Sequence, residues 1–266
     1  MQEYYIVDSH AHIFPSKIAS KAVKSIGNFY GIDMDCNGTS DDLIQSGNTI
    51  NVEKYIVHST ATTAAQVQSI NEFIHSECET HSQFIGFGTL HTELYDFNST
   101  IDHIKSLGLH GIKLHPDFQN FALDDPKAIE MFKAIAVSNL PVLIHMGDSR
   151  YDGSRPKKLA RVLDTIPNLR VIAAHLGGYQ RWTEAMECLI GRDLLIDTSS
   201  SLSFLPKKKA LDIIHAHGVE KVVFGVDFPM WSHDEEFKRY LSLGLTPAEN
   251  RMILADNILK YLNIDK

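Results

Sequence analysis

Histidine placement is the first feature of this chain that suggests chemistry. The chain has 266 residues and 14 histidines, and two of them, His10 and His12, stand two positions apart. In an extended segment, residues two apart point to the same face, about 7 Å from each other along the backbone. Two imidazoles on one face can bind one metal ion, although a His-x-His pair alone is equally typical of a polar strand end.

Short apolar runs rich in β-branched residues recur along the chain, and a histidine stands at or just past the end of six of them. Runs of this kind predict strands that are buried on both faces of a parallel sheet. The eight runs cover residues 4–8, 55–59, 84–89, 109–115, 141–145, 169–175, 194–198 and 222–227.

Amphipathic stretches separate these runs and predict helices. They cover residues 62–81, 126–135, 155–166, 182–190, 207–217, 234–243 and 247–262. Strands and helices that alternate in this way predict an α/β fold, a single-domain (β/α)8 TIM barrel spanning residues 1–266. A doubly wound open sheet is the alternative, but no Gly-x-Gly-x-x-Gly motif follows the first strand.

An insertion at about 16–52 interrupts the alternation between the first two strands. Residues 17–26 have a helical pattern, and residues 33–51 are polar. The insertion is either a small cap over the mouth of the barrel or a long surface segment, and the sequence is compatible with both.

The active site of a barrel enzyme lies at the carboxyl ends of its strands. His145 ends the fifth predicted strand and Asp227 the eighth, so both join His10 and His12 there. Three imidazoles and a carboxylate suit Zn²⁺, with Mn²⁺, Fe²⁺ or Co²⁺ as alternatives, and leave a position for water or substrate.

Five motifs together resemble the amidohydrolase superfamily. They are Asp-Ser-His-Ala-His at 8–12, Gly-Ile-Lys-Leu-His-Pro at 111–116, His145, Ala-His-Leu-Gly-Gly at 174–178 and Gly-Val-Asp-Phe-Pro at 225–229. The chain is similar to the branch that includes aminocarboxymuconate-semialdehyde decarboxylase and several lactonases and hydrolases. The resemblance implies that His10, His12, His145 and Asp227 bind the metal. It also implies that His175 is the catalytic histidine and that Asp227 carries the proton of the metal-bound water.

Lys113 and His115 lie on the fourth predicted strand and share one face. In some superfamily members with two metals, a lysine on this strand is carboxylated and bridges them. The Lys-x-His-Pro pattern is more typical of relatives with one metal, in which these residues support the site or contact the substrate. The resemblance therefore favours one metal over two, and a buried Lys113 that pairs with an aspartate is the alternative.

Substrate contacts are expected from the loop after the fifth strand and from the segment after the eighth. Asp148, Arg150 and Arg155 lie in or near that loop, and an arginine there can bind a carboxylate through two hydrogen bonds. Trp231 is expected in the pocket wall. A solvated arginine or a tryptophan packed at the rim would look the same in sequence.

These residues predict a metal-dependent hydrolase of a small, carboxylate-bearing ester, lactone or amide, in which a metal-activated water attacks the carbonyl. The alternative is a non-oxidative, metal-dependent decarboxylase of a cyclic or unsaturated carboxylic acid. A barrel that binds a ligand without catalysis would be expected to lack a metal-binding residue, and all four are present.

The composition of the chain indicates which partners and which cellular location to expect. Twenty-five Lys and Arg against 33 Asp and Glu give a net charge of −8, which argues against nucleic acid or an anionic membrane as partner. Cys36, Cys78 and Cys188 form no close pair, and the N-terminus does not resemble a signal peptide, so a cytoplasmic enzyme is expected. A small-molecule substrate is the expected partner, and the resemblance implies a homodimer.

Six further histidines fall in or beside predicted helices and are expected at the surface. They are His75, His81, His103, His110, His215 and His217.

Overall fold

The computed structural model describes residues 4–266, in which eight parallel strands form one sheet in the order β1 to β8. The strands are β1 Ile6–His12, β2 Val52–His58, β3 Phe84–Thr89, β4 Gly111–Leu114, β5 Val142–Ile144, β6 Val171–Ala173, β7 Leu195–Asp197 and β8 Val222–Val223. All eight overlap the predicted runs. The chief difference is β1, which continues through His12 instead of ending at residue 8.

The sheet closes into a barrel between β1 and the segment that follows β8. Ser9 N–H donates to Phe224 O (2.9 Å), Asp227 N–H to His10 O (2.8 Å) and His12 N–H to Phe228 O (2.8 Å). The predicted single-domain (β/α)8 barrel is therefore confirmed. Among the described residues, no helix is long and apolar enough to cross a membrane.

Twelve α-helices surround the strands in residues 4–266. They are α1 Ala19–Tyr30, α2 Ser40–Asn48, α3 Val67–Thr80, α4 Phe97–Ser106, α5 Pro116–Gln119, α6 Pro126–Ser138, α7 Pro156–Thr165, α8 Trp182–Cys188, α9 Lys207–His217, α10 His233–Leu241, α11 Pro247–Arg251 and α12 Asn257–Leu262. A π-helical segment, Met252–Asp256, joins the last two. The capping box of Thr246 and Glu249 is present at the start of α11.

Helix α4 lies outside every stretch that the sequence predicted to be helical. Its buried apolar residues are only Ile101 and Ile104, so its apolar stripe is short. The carboxylate of Asp96 caps the helix by accepting the Ser99 N–H at 3.0 Å. The cap and two core contacts are sufficient for a helix here, because β3 and β4 must be connected across the outside of the barrel.

The barrel interior is divided into an apolar layer and a polar layer by the two-residue period of the strands. Val7, Leu143 and Leu195 belong to an apolar cluster that Ile258 and Leu259 of α12 also join. Two residues beyond Leu143 and Leu195 stand His145 and Asp197, on the same face but nearer the carboxyl ends. The polar layer therefore continues the packed interior toward the carboxyl ends of the strands.

An irregularity in β1 aligns its histidines with that layer. The register of β1 against β2 shifts between Asp8 and Ala11. Val7 and His10 are an odd number of residues apart, and a regular strand would turn them to opposite faces. The bulge allows Val7 to join the apolar layer while His10 and His12 face the polar one.

The insertion at 16–52 forms helices α1 and α2. Tyr30, the last residue of α1, lies 2.9 Å from a ring nitrogen of His115 at the end of β4. Ser46 of α2 lies 2.9 Å from His233 at the start of α10. Thus α1 covers the carboxyl ends of the strands, and α2, which sequence patterns described only as a polar segment, packs beside the barrel.

Candidate metal centre

Three donor atoms, two from β1 and one from the segment that follows β8, lie within 3.5 Å of one another. His10 Nε2 lies 3.3 Å from His12 Nε2 and 3.3 Å from Asp227 Oδ1, and His12 Nε2 lies 3.5 Å from the same carboxylate oxygen. Ligand atoms about 2.1 Å from a tetrahedral metal ion lie about 3.4 Å from one another. The triangle of His10, His12 and Asp227 therefore has the dimensions of one face of a metal site.

His10 is held in the orientation that a metal ligand needs. Its Nδ1 lies 2.9 Å from Asp197 Oδ2 and 3.0 Å from the hydroxyl of Ser199. Since the carboxylate accepts, Nδ1 carries the hydrogen and the lone pair of Nε2 faces the triangle. Asp197 lies near the end of the seventh predicted strand, at 194–198, but was not among the site residues expected from the sequence. An aspartate at a strand end was the signal that could have found it.

His175 and His145 form the neighbouring part of the site. His145 Nδ1 lies 3.0 Å from His175 Nε2. His175 Nδ1 lies 3.0 Å from the backbone carbonyl of Ser199, and a carbonyl only accepts, so Nδ1 carries the hydrogen. A nitrogen of His175 and an oxygen of Asp227 lie within 4.8 Å of each other and of His10. The structure therefore brings His175 to the triangle.

His145 belongs to a different group of donors from the triangle. One of its nitrogens clusters with a nitrogen of His115 and an oxygen of Asp117, and its Nε2 lies 3.9 Å from Asp117 Oδ2. This Nε2 is buried and has no hydrogen-bond partner within residues 4–266. Burial raises the pKa of the Asp117 carboxyl to about 6. His145 therefore lies beside the triangle with a free ring nitrogen, and its predicted role as a ligand stays a prediction.

His58 is a donor that the sequence analysis did not include among the site residues. Its ring centre lies 5.1 Å from that of His10 and 4.4 Å from that of His12. Both of its ring nitrogens are buried, and neither has a hydrogen-bond partner in the part of the chain that the structure describes. Unpaired buried nitrogens are costly in a protein interior. His58, at the end of β2, is therefore a further candidate ligand.

Burial keeps the imidazoles of the site neutral, which is the form that binds metals. The pKa values of five histidines lie well below the ordinary value, and removal from water is the largest cause for each. The five are His10, His12, His58, His115 and His145. Neutral imidazoles, a carboxylate and unpaired nitrogens together fit a divalent metal ion.

Lys113 and His115 support the site in different ways. Lys113 Nζ lies 2.8 Å from His10 Nε2, and burial lowers the pKa of this amine to about 8. It therefore contacts the lone pair that the triangle would offer to a metal. His115 stacks on His145 at 3.8 Å, its Nδ1 accepts the Phe118 N–H at 3.3 Å, and Tyr30 lies at its Nε2. Both nitrogens of His115 are engaged.

The loop after β5 uses its charged side chains internally. Asp148 is buried and accepts two hydrogen bonds from the guanidinium of Arg150, at 3.0 and 2.7 Å, and one from its backbone N–H at 2.9 Å. Arg150 also donates to the carbonyl of Phe29 and lies over that ring. Arg155 pairs with Glu184 at 3.0 Å, away from the triangle. The structure therefore does not bring the two predicted arginines together with the metal-binding residues.

Trp231 is linked to the donor triangle through the hydroxyl of Ser200. Its indole N–H donates to Ser200 Oγ at 2.9 Å, and that hydroxyl donates to Asp227 Oδ2 at 2.6 Å. Trp231 therefore helps to orient the carboxylate of the triangle.

His233 and His217 are also buried, although they belong to neither group of donors. His233 lies 3.1 Å from Asp8 Oδ2. His217 donates to Leu194 O at 2.9 Å and accepts from Gly191 N at 3.1 Å. The prediction that His217 is a surface residue is wrong, because its ring secures the chain on both sides of the turn before β7.

Two adjacent cavities lie at the carboxyl ends of the strands. A chamber of about 20 Å³ borders His12, Asp227 and His145 under Tyr30. A groove of about 500 Å³ runs beside it between α1 and α3. A cavity of about 20 Å³ has room for a single water molecule. The triangle of His10, His12 and Asp227 therefore lies beside a small chamber.

Comparison with known proteins agrees with this geometry. A family model described as amidohydrolase matches residues 7–264, whereas no curated protein matches the chain. The chain is similar to 5-carboxyvanillate decarboxylase from Sphingomonas paucimobilis (TM-score 0.74, 14% identity, 98% of this chain and 99% of that one). It is also similar to a dihydroxybenzoic acid decarboxylase from Polaromonas sp. with bound manganese (TM-score 0.71, 13% identity, 98% and 97%).

A third similar structure is a probable 2-pyrone-4,6-dicarboxylic acid hydrolase from Acinetobacter baumannii (TM-score 0.72, 17% identity, 97% of this chain and 99% of that one). At these identities the likeness shows a shared fold. The family model covers nearly the whole chain, and the residues of its strand ends converge as an enzyme of this kind requires. The chain belongs to the amidohydrolase family.

Proposed function

We propose that the chain is a metal-dependent, non-oxidative decarboxylase of a carboxylic acid whose carboxyl group is attached to an unsaturated or aromatic ring carbon. The observation that carries this proposal is the distribution of positive charge. Arg150 is paired with Asp148 and Arg155 with Glu184. Among the described residues, no Arg or Lys lines the chamber or the groove.

Lys113 is buried behind His10, 2.8 Å from its Nε2, and lines neither cavity. The counter-charge that a substrate carboxylate can contact in these cavities is therefore a metal ion held by His10, His12 and Asp227. When bound, a divalent cation supplies the charge that binds a carboxylate and stabilises the negative charge of the reaction. A carboxylate at this position is the group that reacts. A hydrolase of a carboxylate-bearing substrate would need a second anion site, and both arginines that could form one are engaged elsewhere.

Decarboxylation requires one proton transfer. The bond between the ring carbon and the carboxyl carbon breaks, CO₂ leaves, and the electron pair stays on the ring carbon, which takes up a proton. Asp227 borders the chamber, and we assign it the delivery of that proton. His175 has a ring nitrogen within 4.8 Å of an Asp227 oxygen and can return a proton to it.

For the metal we propose one divalent ion per chain. His10, His12 and Asp227 bind it, with His145 as the further ligand that the sequence predicts. Imidazole and carboxylate ligands suit Zn²⁺ and Mn²⁺ alike, and the manganese in the Polaromonas enzyme supports Mn²⁺ beside the Zn²⁺ that the sequence favours. Elemental analysis of protein purified without chelators should find about one equivalent per chain. Two equivalents would implicate Lys113 and His115 in a second site.

A second candidate function is hydrolysis of a small ester, lactone or amide. The chamber beside Asp227 has room for about one water molecule, and a water molecule is the nucleophile that a hydrolase needs. The similar pyrone dicarboxylic acid hydrolase also supports this alternative.

The test is the product formed. Protein loaded with Mn²⁺ or Zn²⁺ is incubated with ring carboxylic acids and, separately, with lactones and esters, and CO₂ and released acid are measured. We expect CO₂ from a ring acid. Asp227→Asn should lower kcat by about 100-fold or more, whereas Asp164→Asn, at an exposed position, should not. Acid release without CO₂ would favour hydrolysis, and a fully active Asp227→Asn enzyme would overturn both mechanisms.

A further inference from the structure

We infer that the groove between α1 and α3 binds the apolar part of the substrate, and that this part extends beyond one ring, so that the preferred acids carry a second aromatic or similarly large apolar group. The inference rests on the proposed function and specifies its substrate class.

The size of the chamber requires a second compartment. At about 20 Å³, the chamber has room for a water molecule or a carboxylate oxygen, whereas a benzene molecule occupies a cavity of about 150 Å³. A ring acid that places its carboxylate at the triangle must therefore extend out of the chamber.

The groove is the space into which the ring acid extends from the chamber. The chamber and the groove share His12, Ile26 and Phe118 in their walls. Phe118 stacks on His115 at 3.8 Å and packs edge-on against Phe29 at 4.6 Å. The wall between the two compartments is thus formed largely by apolar and aromatic side chains that a planar ring can contact.

The volume and the lining of the groove indicate the size of the occupant. It measures about 500 Å³, roughly three times the cavity that one benzene fills, and lies within the range of small-molecule sites. Phe14, Ile70 and Phe73 are among its apolar walls, and no charged side chain lines it among the described residues. An uncharged, mainly apolar group is therefore its complement.

Helix α1 marks the direction in which the substrate extends. Tyr30 borders the chamber, Ile26 borders both compartments, and Ala22 and Ile18 border the groove alone. These four residues are spaced by one turn, about 6 Å along the helix for each step of four residues. Ile18, at the far end, is 51% exposed. A first ring would lie against Ile26 and a second one turn further, against Ala22.

The experiment compares one-ring and two-ring acids by calorimetric titration of the metal-loaded protein. The probes are benzoate and biphenyl-4-carboxylate. We expect the two-ring acid to bind about tenfold more tightly or better, because it buries a further phenyl ring. Ala22→Phe should fill the position of the second ring, so the two acids should bind to this variant with similar affinities. Lys21→Phe, which adds the same ring to an exposed position of α1, should preserve the preference.

Equal affinities for the two acids would overturn the inference, as would a preference that Ala22→Phe leaves intact. A loss of self-association in Ala22→Phe, seen by sedimentation without any change in binding, would identify the groove as an interface between copies and also overturn it. These readouts are separate from catalysis. Tight binding of the two-ring acid without CO₂ release would leave the groove assignment standing and contradict the proposed function.

Discussion

The candidate metal centre depends on how single side chains are oriented. His10 and His12 are brought to one face by the geometry of an extended strand, but a ring can present either nitrogen. Asp197 decides this for His10, because its carboxylate accepts the hydrogen of Nδ1 at 2.9 Å and leaves Nε2 for the triangle. Asp197 is itself held by the backbone N–H groups of His175 and Ser199 at 2.9 and 3.0 Å.

Asp197→Asn should weaken metal binding. An amide carries no charge and does not determine the hydrogen on Nδ1, so we expect the dissociation constant for Mn²⁺ to rise about 10- to 100-fold. Competition with a chelating dye measures it. The control is Asp212→Asn, at an exposed position of α9. Equal affinity in wild type and Asp197→Asn would show that His10 needs no such partner.

The barrel closes through contacts between elements that are distant in sequence. Asp8 Oδ1 accepts the N–H groups of His10 and Val226, both at 3.0 Å, and so joins β1 to the segment that carries Asp227. Its other oxygen contacts His233 Nε2 at 3.1 Å, and Ser46 lies at 2.9 Å from His233 Nδ1. Helices α2 and α10 therefore help to fix the seam that holds the donor triangle.

His233→Phe should destabilise the protein. The substitution keeps a buried ring but leaves Asp8 Oδ2 without its partner, whereas Ser46 Oγ keeps the backbone N–H of His233 at 3.1 Å. A buried charged group that loses its partner costs about 2–4 kcal/mol. Urea denaturation gives the free energy of unfolding. His215→Phe makes the same change at an exposed histidine and should alter stability by about 0.5 kcal/mol or less. Similar values for the two variants would show that the Asp8–His233 pair is not needed at the seam.

The stability of the whole molecule should depend on pH through Glu236. Its side chain is fully buried, one oxygen pairs with Arg239 at 2.9 Å, and the other has no partner among the described residues. Burial raises the pKa of this carboxyl to about 7. Between its ordinary value and pH 7, the folded state keeps a proton that the unfolded state has lost. Stability from this group therefore falls as the pH rises through that interval.

Glu236→Gln should remove this part of the pH dependence. The free energy of unfolding of the variant relative to wild type should rise between pH 4.5 and pH 7, by up to about 3 kcal/mol. Urea titrations at several pH values measure the difference. Glu235→Gln changes an exposed neighbour, and its difference from wild type should be flat. Parallel curves for Glu236→Gln and wild type would mean that Glu236 is ionised in the folded protein throughout.

The chain sequence by itself determined the order of strands and helices and the chemistry at the strand ends. These features are local: apolar runs report buried strands, and a two-residue period sets the face of His12 relative to His10. The same local rules predict helices poorly where a segment is polar or its apolar stripe is short. This is why α2 and α4 were not predicted.

Only the tertiary structure decided which partners these residues meet. The roles of His58 and Asp197, the burial of His217 and His233, and the engagement of Arg150 all depend on segments that are far apart in the chain. His10 and Asp197, for example, are 187 residues apart. A hydrogen-bond partner at that separation is set by how the barrel closes, and no local pattern of residue types carries that information.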